Sequence, residues 1–166
     1  QPLFIDSRPI LEEYHSQPVQ KIPVATDDPA LGSANSPVQL IVFSDFFCPS
    51  CRRFSKELSH IIKKGKGTYR VVFKHFPLST DCNQTLKKNL HPRACEAAVS
   101  AIAAWRQGKF WAYHDSLFSI QDENSPDLFE TIAAKTGLNM EHFGNDKAND
   151  SLKVKVIRDI ALAREL

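Results

Sequence analysis

Two cysteines two residues apart, in Cys48-Pro49-Ser50-Cys51, carry the most specific chemical signal in the chain. A thiolate, not a thiol, attacks a disulfide. A redox pair therefore needs one sulfur held as an anion and a second close enough to resolve the mixed disulfide. The first turn of an α-helix supplies unpaired backbone N–H groups and the positive end of the helix dipole. Pro49 suits the first helical position because it has no N–H to leave unpaired. In this reading Cys48 is the nucleophile and Cys51, one turn on, the resolving thiol. Ser50 is placed to donate a hydrogen bond to the thiolate. Asp45, just upstream on the strand, either handles a proton during exchange or is a hydrogen-bonded acid at a strand end.

The elements around the motif fit that chemistry. Pro37 to Phe47 is nearly all apolar and β-favouring, which predicts a strand buried on both faces. A helix follows to about Lys64, with Phe54, Leu58, Ile61 and Ile62 as its apolar stripe and Arg52, Arg53 and Lys56 toward water. Tyr69 to Phe76 reads as a second strand, completing a βαβ unit. The remainder reads as helices. Arg93 to about Ile120 is alanine-rich and breakable at Gly108. Another helix starts at Ser125-Pro126-Asp127, with Ser125 as N-cap, and ends at Gly137. Asn139 to Phe143 is a single turn, and Ser151 to Leu166 a last helix with Val154, Ile157, Ile160 and Ala161 inward.

The first 36 residues form a proline-rich N-terminal extension, and residues 37–166 the main domain. In the extension, Ser7 to His15 reads as a short helix, Val19 to Ala25 as an edge strand, and Thr26 to Pro37 as turns. The chain begins at Gln1 rather than Met, which reads as processing, or excision from something larger, with loss of a signal or anchor. Hydrophobic residues make up 42% and charged residues 24%, an ordinary globular balance. A net charge of +2 gives no footing for nucleic acid.

Alternatives to a redox pair are a fixed structural disulfide and half of a zinc site completed by Cys82, His91 and Cys95. Short C-x-x-C loops are strained and reducible, which disfavours a fixed staple. His75 and His91 read as polar core or loop residues. Phe46 and Phe47 serve either as core or as an apolar platform for substrate.

The residues Phe43-Ser44-Asp45-Phe46-Phe47-Cys48-Pro49-Ser50-Cys51 resemble the F-x-D-F-x-C-P-x-C signature of DsbA-like thioredoxin-fold proteins. Pro29 to Ala34 with Pro37-Val38, and Phe73 to Leu78, resemble flanking motifs of the same group. Asp81-Cys82-Asn83 with His91-Pro92 and Ala94-Cys95 resembles, more narrowly, thioredoxin-like domains associated with bacterial vitamin K epoxide reductase homologues. The resemblance implies an α/β thioredoxin-like fold with a large helical insertion over about 80–166. It implies an extracytoplasmic protein disulfide oxidoreductase with no metal or organic cofactor, acting on thiol- or disulfide-containing proteins. A membrane quinone-linked oxidoreductase is an implied redox partner. Against the family pattern, the chain is expected to lack the C-terminal cis-proline loop, β-hairpin and last helix. Cys82 and Cys95 bracket a short polar loop and form either a structural disulfide or a second, relaying redox pair. The rival from another class is a redox-inactive binding module or chaperone on the same fold.

Overall fold

The computed structural model describes residues 8–121 and 125–166. The chain opens with α1 (Arg8–Ser16) and continues to a short strand β1 (Ala30–Leu31). The expected helix start at Ser7 lies outside the described residues. The βαβ unit follows as anticipated: β2 (Val38–Ser44), α2 (Pro49–Lys64) and β3 (Tyr69–His75). Strands β2 and β3 run parallel, from Val38 beside Tyr69 to Ser44 beside His75. Strand β1 lies antiparallel on the other side of β3, with Ala30 opposite Val72, so the sheet order is β1-β3-β2.

This topology corrects two expectations. Val19 to Ala25 forms no strand, and the edge strand lies instead at Ala30–Leu31, in the stretch read as turns. The reason is Asp28. Its carboxylate accepts the Ala25 N–H at 2.7 Å, closing a turn that delivers Pro29 to β3, where the Pro29 carbonyl accepts from Phe73 N at 2.9 Å. Strand β2 is half exposed, not buried on both faces, because β3 flanks it on one side only. β3 is the buried strand, with Val71, Val72 and Phe73 all at 2% exposure or less. Among the described residues the sheet ends at β2 and every peptide bond is trans. The stripe expected on α2 is also only partly inward: Leu58 is buried, whereas Phe54 and Ile61 are 48% and 42% exposed.

Beyond β3 the chain is helical: α3 (Ala94–Arg106), α4 (Phe110–Ser119), α5 (Leu128–Lys135), α6 (Met140–Lys147) and α7 (Asp150–Glu165). Gly108, at φ +71°, divides α3 from α4 as its sequence position indicated. Helix α3 is central. Its alanines Ala97, Ala101, Ala103 and Ala104 are fully buried, and their small side chains admit α4, α6 and α7. Tyr113, Phe129 and Phe143 fill the space between these helices. Asp127, not Ser125, occupies the cap position of α5; the Ser125 hydroxyl donates to Asp127, and its carbonyl accepts from Leu128 N in a preceding turn. Asn139 caps α6 by accepting from His142 N, and that helix runs beyond a single turn.

Helix α7 presents a different face from the one its apolar residues indicate. Val154 and Ile157 are 62% and 46% exposed, while Leu152, Lys155, Val156, Asp159 and Ile160 are buried. The rotation brings Lys155 to Asp28 Oδ1 at 2.8 Å, with Lys74 on Asp28 Oδ2 at 2.7 Å. Asp159 Oδ2 accepts from His75 N at 3.0 Å. A buried charge must be paired, so this cluster overrides the apolar stripe.

Candidate active site

Cys48 occupies the N-cap of α2 in extended conformation (φ −83°, ψ 119°), and Pro49 opens the helix. The apolar run of β2 ends at Ser44, and residues 45–47 turn the chain into the helix. Cys48 N donates to the Asp45 carbonyl at 3.2 Å, and the Cys48 carbonyl accepts from Arg52 N at 3.1 Å, starting the helical ladder. Cys48 and Cys51 are both free thiols and both half-buried. The cap places Cys48 beside the unpaired N–H groups of the first turn. Cys51 lies one turn further in, where burial pushes its thiol up from its ordinary value and the adjacent Cys48 adds to the effect. The Asp45 backbone and the Ser44 side chain hydrogen-bond to Cys51 and act in the opposite direction, favouring its anion.

Asp45 is a clasp. Its side chain, 3% exposed, accepts from Phe47 N at 2.7 Å through Oδ1, and from Leu78 N at 2.7 Å and His91 Nδ1 at 2.8 Å through Oδ2. The carboxylate thus holds the turn into α2 and the segment after β3 together. Ser50 is exposed at the second position of the helix. Its side chain projects from the helix, and its hydroxyl accepts from Arg53 Nη2 at 3.5 Å. Phe46 is core, stacked on Phe73 with ring centroids 5.3 Å apart, whereas Phe47 is half-buried against Phe129. His75 is fully buried and makes its main-chain bond to Asp159.

Cys82 and Cys95 are joined as a disulfide with a Cα–Cα distance of 5.9 Å, and both are 5% exposed. The bond consumes two of the ligands that the zinc alternative requires. Among the described residues no three His, Cys, Asp or Glu side chains gather to hold a metal ion, and no helix is long and apolar enough to cross a membrane.

A cleft of 390 Å³ adjoins Cys51 on the free side of β2, lined by Ile41, Val42, Phe43, Ser44, Ser50 and Phe54. Ser44 is the site residue that motif reading missed. Its signal was present: a lone hydroxyl ending an apolar strand immediately before the C-x-x-C turn.

Residues 25–165 match the family model described as Thioredoxin. A thioredoxin-like oxidoreductase from Silicibacter pomeroyi superposes with a TM-score of 0.71 at 26% identity, covering 85% of this chain and 75% of that one. The Na(+)/H(+) antiporter NhaA 1 of Mycolicibacterium vanbaalenii is 32% identical over 133 residues, which is 80% of this chain and 20% of that protein. The chain therefore spans about a fifth of the length of that antiporter. A probable disulfide bond formation protein D from Bacillus anthracis is 26% identical over 147 residues, 82% of this chain and 64% of that protein. The mixed α/β architecture is thioredoxin-like, as the motifs around Cys48 implied. With 25–165 matched and the fold shared, the chain belongs to the thioredoxin family.

Proposed function

We propose that this chain is a protein disulfide oxidoreductase working through Cys48 and Cys51. The observation that carries the reading is the unequal treatment of the two free sulfurs. Cys48 caps α2 in front of unpaired N–H groups, and Cys51 sits deeper with its thiol form favoured by burial. Substrate-reducing exchange then runs in two displacements. The Cys48 thiolate attacks one sulfur of a substrate disulfide, forming the mixed disulfide and releasing the other sulfur as a thiolate that takes up a proton. Cys51 loses its proton and attacks the Cys48 sulfur. The Cys48–Cys51 disulfide forms, and the second substrate sulfur leaves as a thiolate. Two electrons pass from enzyme to substrate, and the reverse sequence oxidises a substrate dithiol.

The cleft beside Cys51 gives an extended, apolar substrate segment a place to lie, and the edge of β2 that is unpaired among the described residues offers it backbone partners. The same reading places the chain outside the cytoplasm. Its structural relatives include a periplasmic thioredoxin-like protein from Salmonella enterica, which shares the fold at 20% identity, covering 84% of this chain and 71% of that one with a TM-score of 0.63. It also includes a membrane quinone-linked oxidoreductase as redox partner, on the resemblance of Asp81 to Asn83 and His91 to Cys95. The test is a glutathione redox titration with thiol trapping and mass mapping of all four cysteines. A reversible Cys48–Cys51 couple supports exchange, and its midpoint assigns the favoured direction. Failure of Cys48 and Cys51 to form a disulfide in oxidising buffer leaves a redox-inactive binding module.

A further inference from the structure

We propose that His91 is a positioning residue for the Cys48–Cys51 site, acting through the Asp45 carboxylate. The inference rests on the exchange reading and adds to it a residue outside the C-x-x-C motif.

The geometry is a chain of short contacts. His91 Nδ1 donates to Asp45 Oδ2 at 2.8 Å, which fixes the proton on Nδ1 because a carboxylate only accepts. The His91 side chain is 22% exposed and that of Asp45 2%, so a partly exposed imidazole is bonded to a buried acid. Leu78 links the same two residues a second way. Its N–H donates to Asp45 Oδ2 at 2.7 Å, and its carbonyl accepts from His91 N at 3.0 Å and Leu90 N at 3.1 Å. Asp45 in turn reaches both cysteines through its main chain: its carbonyl accepts the backbone N–H of Cys48 at 3.2 Å, which sets the start of α2, and its backbone hydrogen-bonds to the Cys51 thiol. Its Oδ1 fixes the intervening Phe47 N at 2.7 Å.

A buried carboxylate served by three donors is neutralised and immobile. Remove the imidazole and one donor goes. A larger share of the negative charge then faces the turn that carries Cys48, and the turn keeps only the Leu78 N–H of its two ties to the segment after β3. Both changes disfavour a thiolate at Cys48. The reduced form of a dithiol is stabilised by its thiolate, so its loss shifts the couple toward the disulfide and makes the protein a weaker oxidant. His91 therefore belongs to the machinery that sets the potential, although it touches neither sulfur.

The experiment compares glutathione titrations of the whole chain as wild type, His91→Ala, His91→Asn and Asn89→Ala. The Asn amide nitrogen stands near the place of Nδ1 and can donate to Asp45, whereas Asn89 secures the same loop through Thr80 N at 3.3 Å without reaching Asp45. The expected result is a shift of about threefold to tenfold in the exchange equilibrium for His91→Ala, or about 14 to 30 mV toward reducing potential at about 30 mV per tenfold. His91→Asn stays within about twofold of wild type, the scale of a retained hydrogen bond, and Asn89→Ala matches wild type even if it melts earlier. An unchanged potential in His91→Ala overturns the inference, as does an equal shift in Asn89→Ala, which would mark generic loosening. If the wild-type couple itself fails to form, the exchange reading falls and this inference falls with it. The first two results overturn the role of His91 alone.

Discussion

Asp28 and Lys155 meet at 2.8 Å across 127 residues of chain, with 0% and 7% of their side chains exposed. Lys74 closes on the other Asp28 oxygen at 2.7 Å, and Asp159 completes a buried set of two cations and two anions. The arrangement fastens the segment before β1 and helix α7 to the middle strand β3. It lies behind the sheet strand whose neighbour, β2, leads into the active-site turn.

Truncating one partner should be costly because the charge left behind stays buried. Lys155→Met is expected to destabilise the fold by about 3–5 kcal/mol. The double variant Lys155→Met with Asp28→Asn should lose clearly less than the sum of its two single variants, since each removes the other's unpaired partner. Chemical denaturation of the four proteins measures both quantities. Additive losses would show that the contact at 2.8 Å carries no coupling.

Acid should weaken the fold through His75. Burial, and then the positive field of Lys155, hold its imidazole down to about 3, and neither ring nitrogen has a hydrogen-bond partner. In the unfolded chain the same ring titrates near about 6.5. Between those values the unfolded state binds a proton that the folded state refuses, so stability falls as pH drops, by at most about 1.4 kcal/mol per pH unit. Asp28 adds the same sign at lower pH. Burial works to raise its carboxyl, but Lys155 and Lys74 keep it below its ordinary value, so its contribution disappears once it is protonated. Asp159 opposes them. Burial raises its carboxyl, so the folded state holds that proton longer than the unfolded one. The difference between wild type and His75→Phe isolates the imidazole: the variant's stability should decline less steeply between about pH 6 and 3, followed by urea denaturation at each pH.

The second disulfide gives a separate readout. Cys82 and Cys95 are 13 residues apart and sit at 5% exposure in the core, where α3 begins. Replacing both with serine should cost about 3 kcal/mol, the loop-closure contribution for a loop of this size. A structural bond predicts that Cys82–Cys95 stays oxidised while Cys48–Cys51 titrates. A relay predicts that electrons entering at Cys48–Cys51 appear at Cys82–Cys95 in a time-resolved trapping experiment.

The sequence disclosed what depends on near neighbours. The β-favouring run before Cys48, Pro49 at the helix start, and Gly108 between α3 and α4 each specify local backbone, and each element formed where its residues indicated. What stayed hidden depends on distant partners. Val154 and Ile157 mark an apolar face of α7, but Lys155 and Asp159 turn inward because Asp28 and Lys74 wait there. Asp45 could be read as an acid near the thiols, yet its donors Leu78 and His91 come from 33 and 46 residues away. Periodicity cannot report such pairings, because they arise only when separate elements pack.

Ser44 offers the sharpest kinetic test of the order of events at the two sulfurs. Burial and the neighbouring Cys48 push the Cys51 thiol up, and the Ser44 side chain is one of two groups that pull it back. Ser44→Ala removes that donor and leaves the Cys51 anion harder to form. Attack of Cys48 on a substrate disulfide should be little changed, because Ser44 assists the other sulfur. Resolution by Cys51 should slow by about threefold to tenfold, the scale of one ordinary hydrogen bond. The mixed disulfide at Cys48 should then accumulate in acid-quenched samples of the variant and be visible by mass. If the first step slows instead, the sulfur that Ser44 assists is the attacking one, and the assignment of nucleophile and resolving thiol must be exchanged.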